Sequence, residues 1–231
     1  MGPLTAGAAS ALAFAAWSVR GRSSSVFGAS VWRGPKHARA IALTFDDGPS
    51  PATPRVLELL AAFEAKATFF LCGANVRRHP ALARRILTEG HETGNHTDTH
   101  PAFWRLTPRA VYREIAAAQS TIAQTTGVPP RWFRAPYGVR WPGVRQAQEQ
   151  LELTGVMWTA IGRDWVLPAA GIVRRMERGA VPGAVWCLHD GRELQPEPDV
   201  QPMLIALHTL LRKHCAAGWR FVSVSELLGI K

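Results

Sequence analysis

From residue 38 onwards, short apolar runs alternate with segments in which apolar residues recur every three or four positions. The short runs predict buried strands, and the recurring spacing predicts helices with one face towards a core. The predicted strands cover residues 40–43, 67–72, 132–134, 155–159, 184–188 and 220–224. The predicted helices begin near residues 53, 81, 107, 144, 170, 203 and 225. Strands that alternate with helices favour βαβ units and a parallel sheet.

Helix boundaries are marked by capping residues. Thr53 and Thr107 are each followed by proline, which predicts a helix start at both positions. Ser225 predicts the cap of a terminal helix.

Polar residues cluster directly after several predicted strands, which is where barrel enzymes place their sites. The alternating part of the chain has about 190 residues, whereas eight full βα units take about 250. We therefore predict an α/β fold of the distorted or incomplete (β/α) barrel type.

The N-terminal part of the chain differs from the rest. Residues 1–20 are mostly apolar, but the uncharged run is shorter than the roughly 20 residues of a spanning helix and lacks the basic start of a secretory signal. An Ala-rich helix, a weak membrane anchor and a trimmed signal all fit. A true span followed by Arg20 and Arg22 would leave the main domain cytoplasmic. Residues 21–38, rich in Ser and Gly, predict a linker to a main domain at 39–231.

The net charge of +10 comes mainly from arginines that are scattered along the chain. No nucleic-acid motif accompanies them, so we predict no nucleic-acid partner. Apolar residues make up 47% of the chain, enough for a sizeable core. The three cysteines lack metal-type spacing, and Cys72 and Cys187 fall in strand-like runs that predict core positions.

Two adjacent carboxylates, Asp46 and Asp47, end the first predicted strand before the turn at residues 48–49. Neighbouring strand residues point to opposite sides, so both face one cavity only if the backbone bends there. The alternative is a solvated turn that caps the next helix.

His96 and His100 are four residues apart, a spacing that lets both face one point on a helical turn. Two imidazoles and one carboxylate, for which Asp47 is a candidate, make a three-ligand metal site. A polar loop with capping histidines is the alternative. The same donor set also occurs in non-haem iron oxygenases, so it leaves the reaction open.

Five spaced segments resemble the motifs of the polysaccharide deacetylase family, the NodB-homology group or carbohydrate esterase family 4. They are residues 44–49 (TFDDGP), 94–100 (GNHTDTH), 134–138 (RAPYG), 164–165 (DW) and 188–190 (LHD). The resemblance covers about residues 39–228. It implies a distorted (β/α) barrel and metal-dependent removal of an acetyl group from a sugar.

The resemblance also assigns roles to residues of this chain. It implies Asp47, His96 and His100 as metal ligands, with Asp46 as general base and His189 as general acid. Other residues would orient the catalytic residues, namely Arg134 against Asp46 and Asp164 against His189. The remaining residues would bind the substrate: the Tyr137 backbone N–H at the oxyanion, and Trp165 and Leu188 as apolar walls for the acetyl methyl group.

Some features depart from the family pattern or stay open. Ile161 stands where many members carry an acidic residue. Trp104, Trp141 and Trp158 are candidates for stacking on sugar rings, with core packing as the alternative.

The leading hypothesis is a deacetylase of N-acetylated sugars that uses one divalent ion, Zn²⁺ first and Co²⁺, Mn²⁺ or Ni²⁺ as alternatives. Its expected partner is an acetylated carbohydrate such as chitooligosaccharide or peptidoglycan. We expect a monomer, weakly associated with membranes through its N-terminus, in the bacterial cell envelope, with a cytoplasmic location as the alternative. Two other hypotheses are a deacylase of a lipid-linked sugar and a carbohydrate-binding relative without catalysis.

Overall fold

A computed structural model describes residues 3–230 and places nine strands, nine α-helices and two short 3-10 helices in that part of the chain. The strands are β1 (Ser30–Val31), β2 (Ala40–Gly48), β3 (Thr68–Leu71), β4 (Glu92–Asn95), β5 (Trp132–Phe133), β6 (Thr154–Val156), β7 (Ala160–Ile161), β8 (Ala184–His189) and β9 (Arg220–Val222). The helices are α1 (Pro3–Arg20), α2 (Thr53–Ala62), α3 (Gly73–Arg78), α4 (Pro80–Thr88), α5 (Pro108–Thr126), α6 (Val144–Gln150), α7 (Ala169–Glu177), α8 (Gln201–Ala216) and α9 (Val224–Leu228).

The strands form a single sheet in the order β1-β6-β5-β4-β3-β2-β8-β7, and β9 also pairs with β2. Every strand pairing is parallel. Residues 157–159 carry the chain from β6, next to one edge, to β7 at the other edge. The sheet is therefore a curled, incomplete (β/α) barrel, which confirms the predicted fold, and its strands end together at one mouth.

The alternation of side chains along β2 separates two cores. Ile41, Leu43 and Phe45 are fully buried in the larger cluster, which also contains apolar residues of α2, α4, α5, α7 and α8. Ala40 and Ala42 belong to the smaller cluster on the other face of the sheet. Full burial of each large apolar side chain stabilises the fold by roughly 1.5–3 kcal/mol. The same alternation of side chains places the inward-facing residues near the end of β2 at the barrel mouth.

Two helix starts differ in detail from the prediction. Thr107 caps α5 as expected and accepts a hydrogen bond from the Ala110 N–H at 3.3 Å. Thr53 is the first residue of α2 rather than its cap, and its hydroxyl donates to Asp190 Oδ2 at 2.5 Å. Ser223, not Ser225, caps α9.

The sequence pattern misses β4 and α3. β4 has the sequence ETGN and carries no apolar run, because its pairing with β3 and β5 holds it in place without one. The predicted strand at 155–159 is interrupted, since β6 ends at Val156 and β7 begins at Ala160.

The N-terminal segment contributes to the domain. Residues 21–38, predicted as a linker, contain β1, which pairs with β6, and Arg33, which forms an isolated bridge with Ala184. Residues 3–20 form the helix α1. Within residues 3–230, none of the helices combines the length and the apolar character needed to cross a membrane.

Candidate metal centre and catalytic cavity

A cavity of about 490 Å³ opens at the carboxyl ends of the strands. Its lining residues are Asp46, Asp47, His96, His100, Ala135, Tyr137, Gly138, Trp158, Ile161, Trp165, His189, Arg192, Glu193 and Gln195. Seven of the ten residues predicted from the sequence are in this set. Arg134 and Asp164 lie directly behind it, each hydrogen-bonded to a lining residue.

Both carboxylates at the end of β2 reach this cavity because the strand is irregular there. The pairing of β2 with β3 shifts register between Asp46 and Gly48, and Asp47 has a φ of 73°. In a regular strand these neighbours would point to opposite faces. The required bend thus lies at Asp47 itself, within the strand, and not only at the following turn.

Asp47, His96 and His100 converge on one point. Asp47 Oδ1 lies 3.4 Å from His96 Nε2 and 3.3 Å from His100 Nε2. All three residues are buried, and Asp47 Oδ1 has no hydrogen-bond partner. Donor atoms about 2.0–2.1 Å from a tetrahedral ion are about 3.3 Å apart, so the spacing fits a divalent ion. These residues form the candidate metal centre.

The histidines do not lie on a helical turn, as the spacing suggested. β4 ends at Asn95, and the following loop has left-handed backbone at Thr97 (φ 69°) and His100 (φ 55°). The left-handed region costs a non-glycine residue conformational energy. Non-glycine residues in this conformation are concentrated at functional sites. The conformation of this loop, rather than helical periodicity, brings the centres of the His96 and His100 rings to 5.0 Å from each other.

Neighbouring groups orient the three candidate ligands. The backbone carbonyl oxygen of Arg134 lies 2.7 Å from His96 Nδ1, which places the ring proton on Nδ1 and leaves Nε2 free to bind a metal. Burial raises the pKa of Asp47, but the neighbouring His96 and His100 rings outweigh burial and hold this pKa well below its usual range. Burial lowers the pKa of His100, which favours the neutral, metal-binding form.

Two buried groups hold the Asp46 carboxylate beside the candidate metal centre. Arg134 Nη1 donates to Asp46 Oδ1 at 2.6 Å, and the Cys187 thiol donates to Asp46 Oδ2 at 3.4 Å. Arg134 is almost completely buried, and its guanidinium lies 4.1 Å from the centre of the Phe70 ring. It also donates to the Thr44 hydroxyl. Asp46 Oδ2 lies 3.9 Å from His96 Nε2, so this oxygen is the one nearer the centre.

His189 and Asp164 form a second pair, in which Asp164 is buried and His189 is partly exposed. Both oxygens of Asp164 accept from His189, Oδ1 from the ring Nδ1 at 2.8 Å and Oδ2 from the backbone N–H at 2.9 Å. Burial alone would lower the pKa of His189, but the charge and hydrogen bond of Asp164 raise it to about 9. Trp165 packs edge-on against the His189 ring and remains 45% exposed. The imidazole is therefore protonated at neutral pH and reaches the cavity.

Tyr137 lies on the other wall, in a left-handed conformation with φ 57°. Its hydroxyl donates to Glu193 Oε1 at 2.9 Å, and its ring packs against His100. Burial and the Glu193 carboxylate raise the pKa of Tyr137 to about 12. Tyr137 is thus tied to the loop that follows β8.

Leu188 does not line the cavity, contrary to the expectation of an apolar wall. It is fully buried in the larger core, because alternate residues of β8 point away from the barrel interior. Ile161 and Trp165 supply apolar surface instead. Among the other tryptophans, Trp158 lines the cavity and Trp104 packs on Tyr137, whereas Trp141 packs against Phe27.

Two residues that support Asp47 were missed by sequence reasoning. The backbone N–H of Glu193 donates to Asp47 Oδ2 at 2.9 Å. The Asn75 amide donates to the backbone oxygens of Asp47 and Glu193. Glu193 follows the β8 motif in a loop at the carboxyl end, which is a usable signal. Asn75 lies in α3, which the pattern did not predict, so no signal pointed to it.

A curled parallel barrel with an Asp-His-His set at its mouth defines an α/β protein with a candidate metal centre. Residues 33–156 match the model of the polysaccharide deacetylase family. Peptidoglycan-N-acetylglucosamine deacetylase PgdA of Listeria monocytogenes serotype 1/2a is 36% identical over 198 residues, which cover 85% of this chain and 40% of the relative. Chitooligosaccharide deacetylase of Bradyrhizobium sp. is 41% identical over 156 residues, covering 66% of this chain and 71% of the relative.

Solved structures agree with the sequence matches. The Bc1960 peptidoglycan N-acetylglucosamine deacetylase superposes with a TM-score of 0.80 at 30% identity, covering 87% of this chain and 94% of that structure. The chain belongs to the polysaccharide deacetylase family, which confirms the resemblance seen in the motifs. It spans less than half the length of the Listeria relative.

Proposed function

We propose that this protein is a metal-dependent hydrolase that removes acetyl groups, N-acetyl above all, from a sugar or polysaccharide such as chitooligosaccharide or peptidoglycan. The observation that carries the proposal is the convergence of Asp47, His96 and His100 in one cavity with Asp46 and His189. Two relatives are deacetylases of peptidoglycan N-acetylglucosamine and of chitooligosaccharide, which supports the proposal.

Asp47, His96 and His100 would hold one divalent ion. Two imidazoles and a carboxylate accept several metals, so we propose Zn²⁺, with Co²⁺, Mn²⁺ and Ni²⁺ as alternatives. When bound, the ion lowers the pKa of a coordinated water and polarises the acetyl carbonyl.

Each of the other residues then has a separate task. Asp46 accepts the proton of the attacking water, while Arg134 holds its carboxylate in place. The backbone N–H of Tyr137 donates to the developing oxyanion. Because Asp164 occupies His189 Nδ1, His189 Nε2 is left to protonate the departing amine.

Acetate release from a panel of acetylated glycans by metal-reconstituted protein tests the proposal. We expect release that EDTA abolishes and added Zn²⁺ restores. Release that survives complete metal removal would refute the metal dependence, and oxygen-dependent turnover would indicate an oxygenase instead. Sugar binding without acetate release across the panel would identify a carbohydrate-binding protein.

The exposed apolar helix α1, followed by Arg20 and Arg22, favours a second candidate, a deacylase of a lipid-linked sugar at the membrane. A reporter fusion that shows on which side of the membrane residues 39–231 lie distinguishes the two candidate functions. A periplasmic or extracellular domain would argue against a substrate at the cytoplasmic face.

A further inference from the structure

The middle of helix α1, residues 8–17, extends from the domain with its side chains in solvent. Every residue from 8 to 17 is exposed, including Leu12 at 73%, Phe14 at 60% and Trp17 at 44%. The chain carries no charged side chain before Arg20. Large exposed apolar surfaces mark sites of interaction with other proteins or with membranes.

The carboxyl end of α1 is firmly attached to the domain. The backbone N–H of Arg140 donates to the carbonyl oxygen of Val19 at 3.0 Å. The Arg140 side chain is buried and donates to the carbonyl oxygens of Gly21 and Ser24. Arg140 lies only three residues after Tyr137, in the segment that forms one wall of the catalytic cavity. The orientation of α1 is therefore coupled to that wall.

The charges beside α1 indicate what would cover it. Four arginines and one lysine precede the first acidic residue, Asp46. Arg20 and Arg22 are exposed at the base of the helix. Apolar side chains followed by cations match an anionic bilayer, in which acyl chains lie beneath negatively charged headgroups. A second copy of this basic chain would instead bring like charges together at the helix base.

We propose that α1 docks end-on in an anionic lipid bilayer, which places Leu12, Phe14 and Trp17 in the lipid although they lie on different faces of the helix, with Arg20 and Arg22 at the headgroups. Arg140 would hold the catalytic cavity at a defined orientation to the membrane surface. This inference does not depend on the deacetylase activity.

Flotation of the full 231-residue chain with lipid vesicles tests the proposal. We compare vesicles of phosphatidylcholine with vesicles that contain 30% phosphatidylglycerol. Binding to the anionic vesicles should be at least about tenfold stronger, because two arginines near the surface each contribute. The double variant Leu12→Asp with Phe14→Asp should weaken binding at least about tenfold. Arg20→Gln with Arg22→Gln should remove the preference for anionic lipid.

Ile205→Asp provides a matched control, since Ile205 is an apolar side chain on α8 that is 51% exposed. It should leave vesicle binding unchanged, and circular dichroism should show that all variants fold. An absence of binding to anionic vesicles would overturn the proposal, as would an equal loss in the Ile205→Asp control. A lipid-free dimer that Leu12→Asp with Phe14→Asp converts to a monomer in light scattering would assign the helix to a second copy instead.

Discussion

Replacing Asp164 by Asn should sharply lower the pKa of His189. Asn keeps an oxygen that accepts from His189 Nδ1, so the ring can stay in place, but it removes the buried negative charge. It also replaces the oxygen that accepts from the His189 backbone N–H. A measurement of the pKa of the His189 ring distinguishes the loss of the Asp164 charge from the loss of this backbone hydrogen bond.

The structure sets the size of the effect. The pKa of His189 is about 9, compared with an ordinary value of 6.5. A difference of about 2.5 units corresponds to about 3 kcal/mol of preference for the protonated ring. The Asp47 and Asp46 charges also raise this pKa, but burial lowers it more strongly than either of them raises it, so loss of the Asp164 charge should bring it to about 6.5. At pH 7.5 His189 would then be protonated in roughly one molecule in ten instead of nearly all.

The raised pKa also predicts how stability depends on pH. A histidine whose pKa is higher in the folded state contributes stability that is complete below the unfolded value of 6.5 and is lost as the pH rises through about 9. The stability deficit of Asp164→Asn should therefore be largest below pH 6.5 and decrease towards pH 9. Urea unfolding at several pH values measures this trend.

NMR titration of histidine-labelled, metal-free protein measures the pKa of His189 directly, and Asp199→Asn serves as an exposed-carboxylate control. The pH dependence of kcat/KM in the metal-reconstituted enzyme should show an earlier loss of activity on the basic side. A His189 that still titrates near pH 9 in Asp164→Asn would refute the electrostatic reasoning.

Three further predictions concern the two aspartates and the packing behind them. Asp47→Ala should lose Zn²⁺ affinity in calorimetry, whereas Asp46→Asn should keep the metal and lose acetate release; equal metal loss in both would contradict the division of roles. Arg134→Met leaves the buried Asp46 carboxylate without its cation and should lower the free energy of unfolding by about 3–5 kcal/mol; a urea-measured loss below about 1 kcal/mol would contradict this. Gly94→Ala places a methyl group 2.5 Å from the Phe70 ring and should destabilise by about 1–3 kcal/mol in thermal unfolding, and an unchanged Tm would contradict the tight packing.

The amino-acid pattern was sufficient for the architecture and for most of the site. Apolar runs such as the one at 40–43 predicted the buried strands, because strands covered on both faces need apolar side chains on both. The motifs at 44–49, 94–100 and 188–190 named the ligand and catalytic candidates, since carboxylate and imidazole chemistry is a property of residue type. Strands with little apolar sequence, such as β4, escaped this reasoning because their stability comes from neighbouring strands.

Only the tertiary structure decided the directions of the side chains. Asp46 and Asp47 share one cavity because the β2 register shifts and Asp47 adopts a φ of 73°, which residue order does not reveal. Leu188 follows the strand period into the outer core although it belongs to the motif at 188–190. Glu193 and Asn75 reach Asp47 from distant positions in the chain.

The sequence by itself thus determined which chemical groups are present and that strands and helices alternate, because both depend on local residue identity and spacing. The distances that let three donors hold one ion, the pairing of Arg134 with Asp46 across 88 positions of the chain, and the attachment of α1 through Arg140 were decided by tertiary structure. Each of these requires the whole chain to be folded, since the groups involved meet only when separate strands and loops end at the same mouth of the barrel or pack against it.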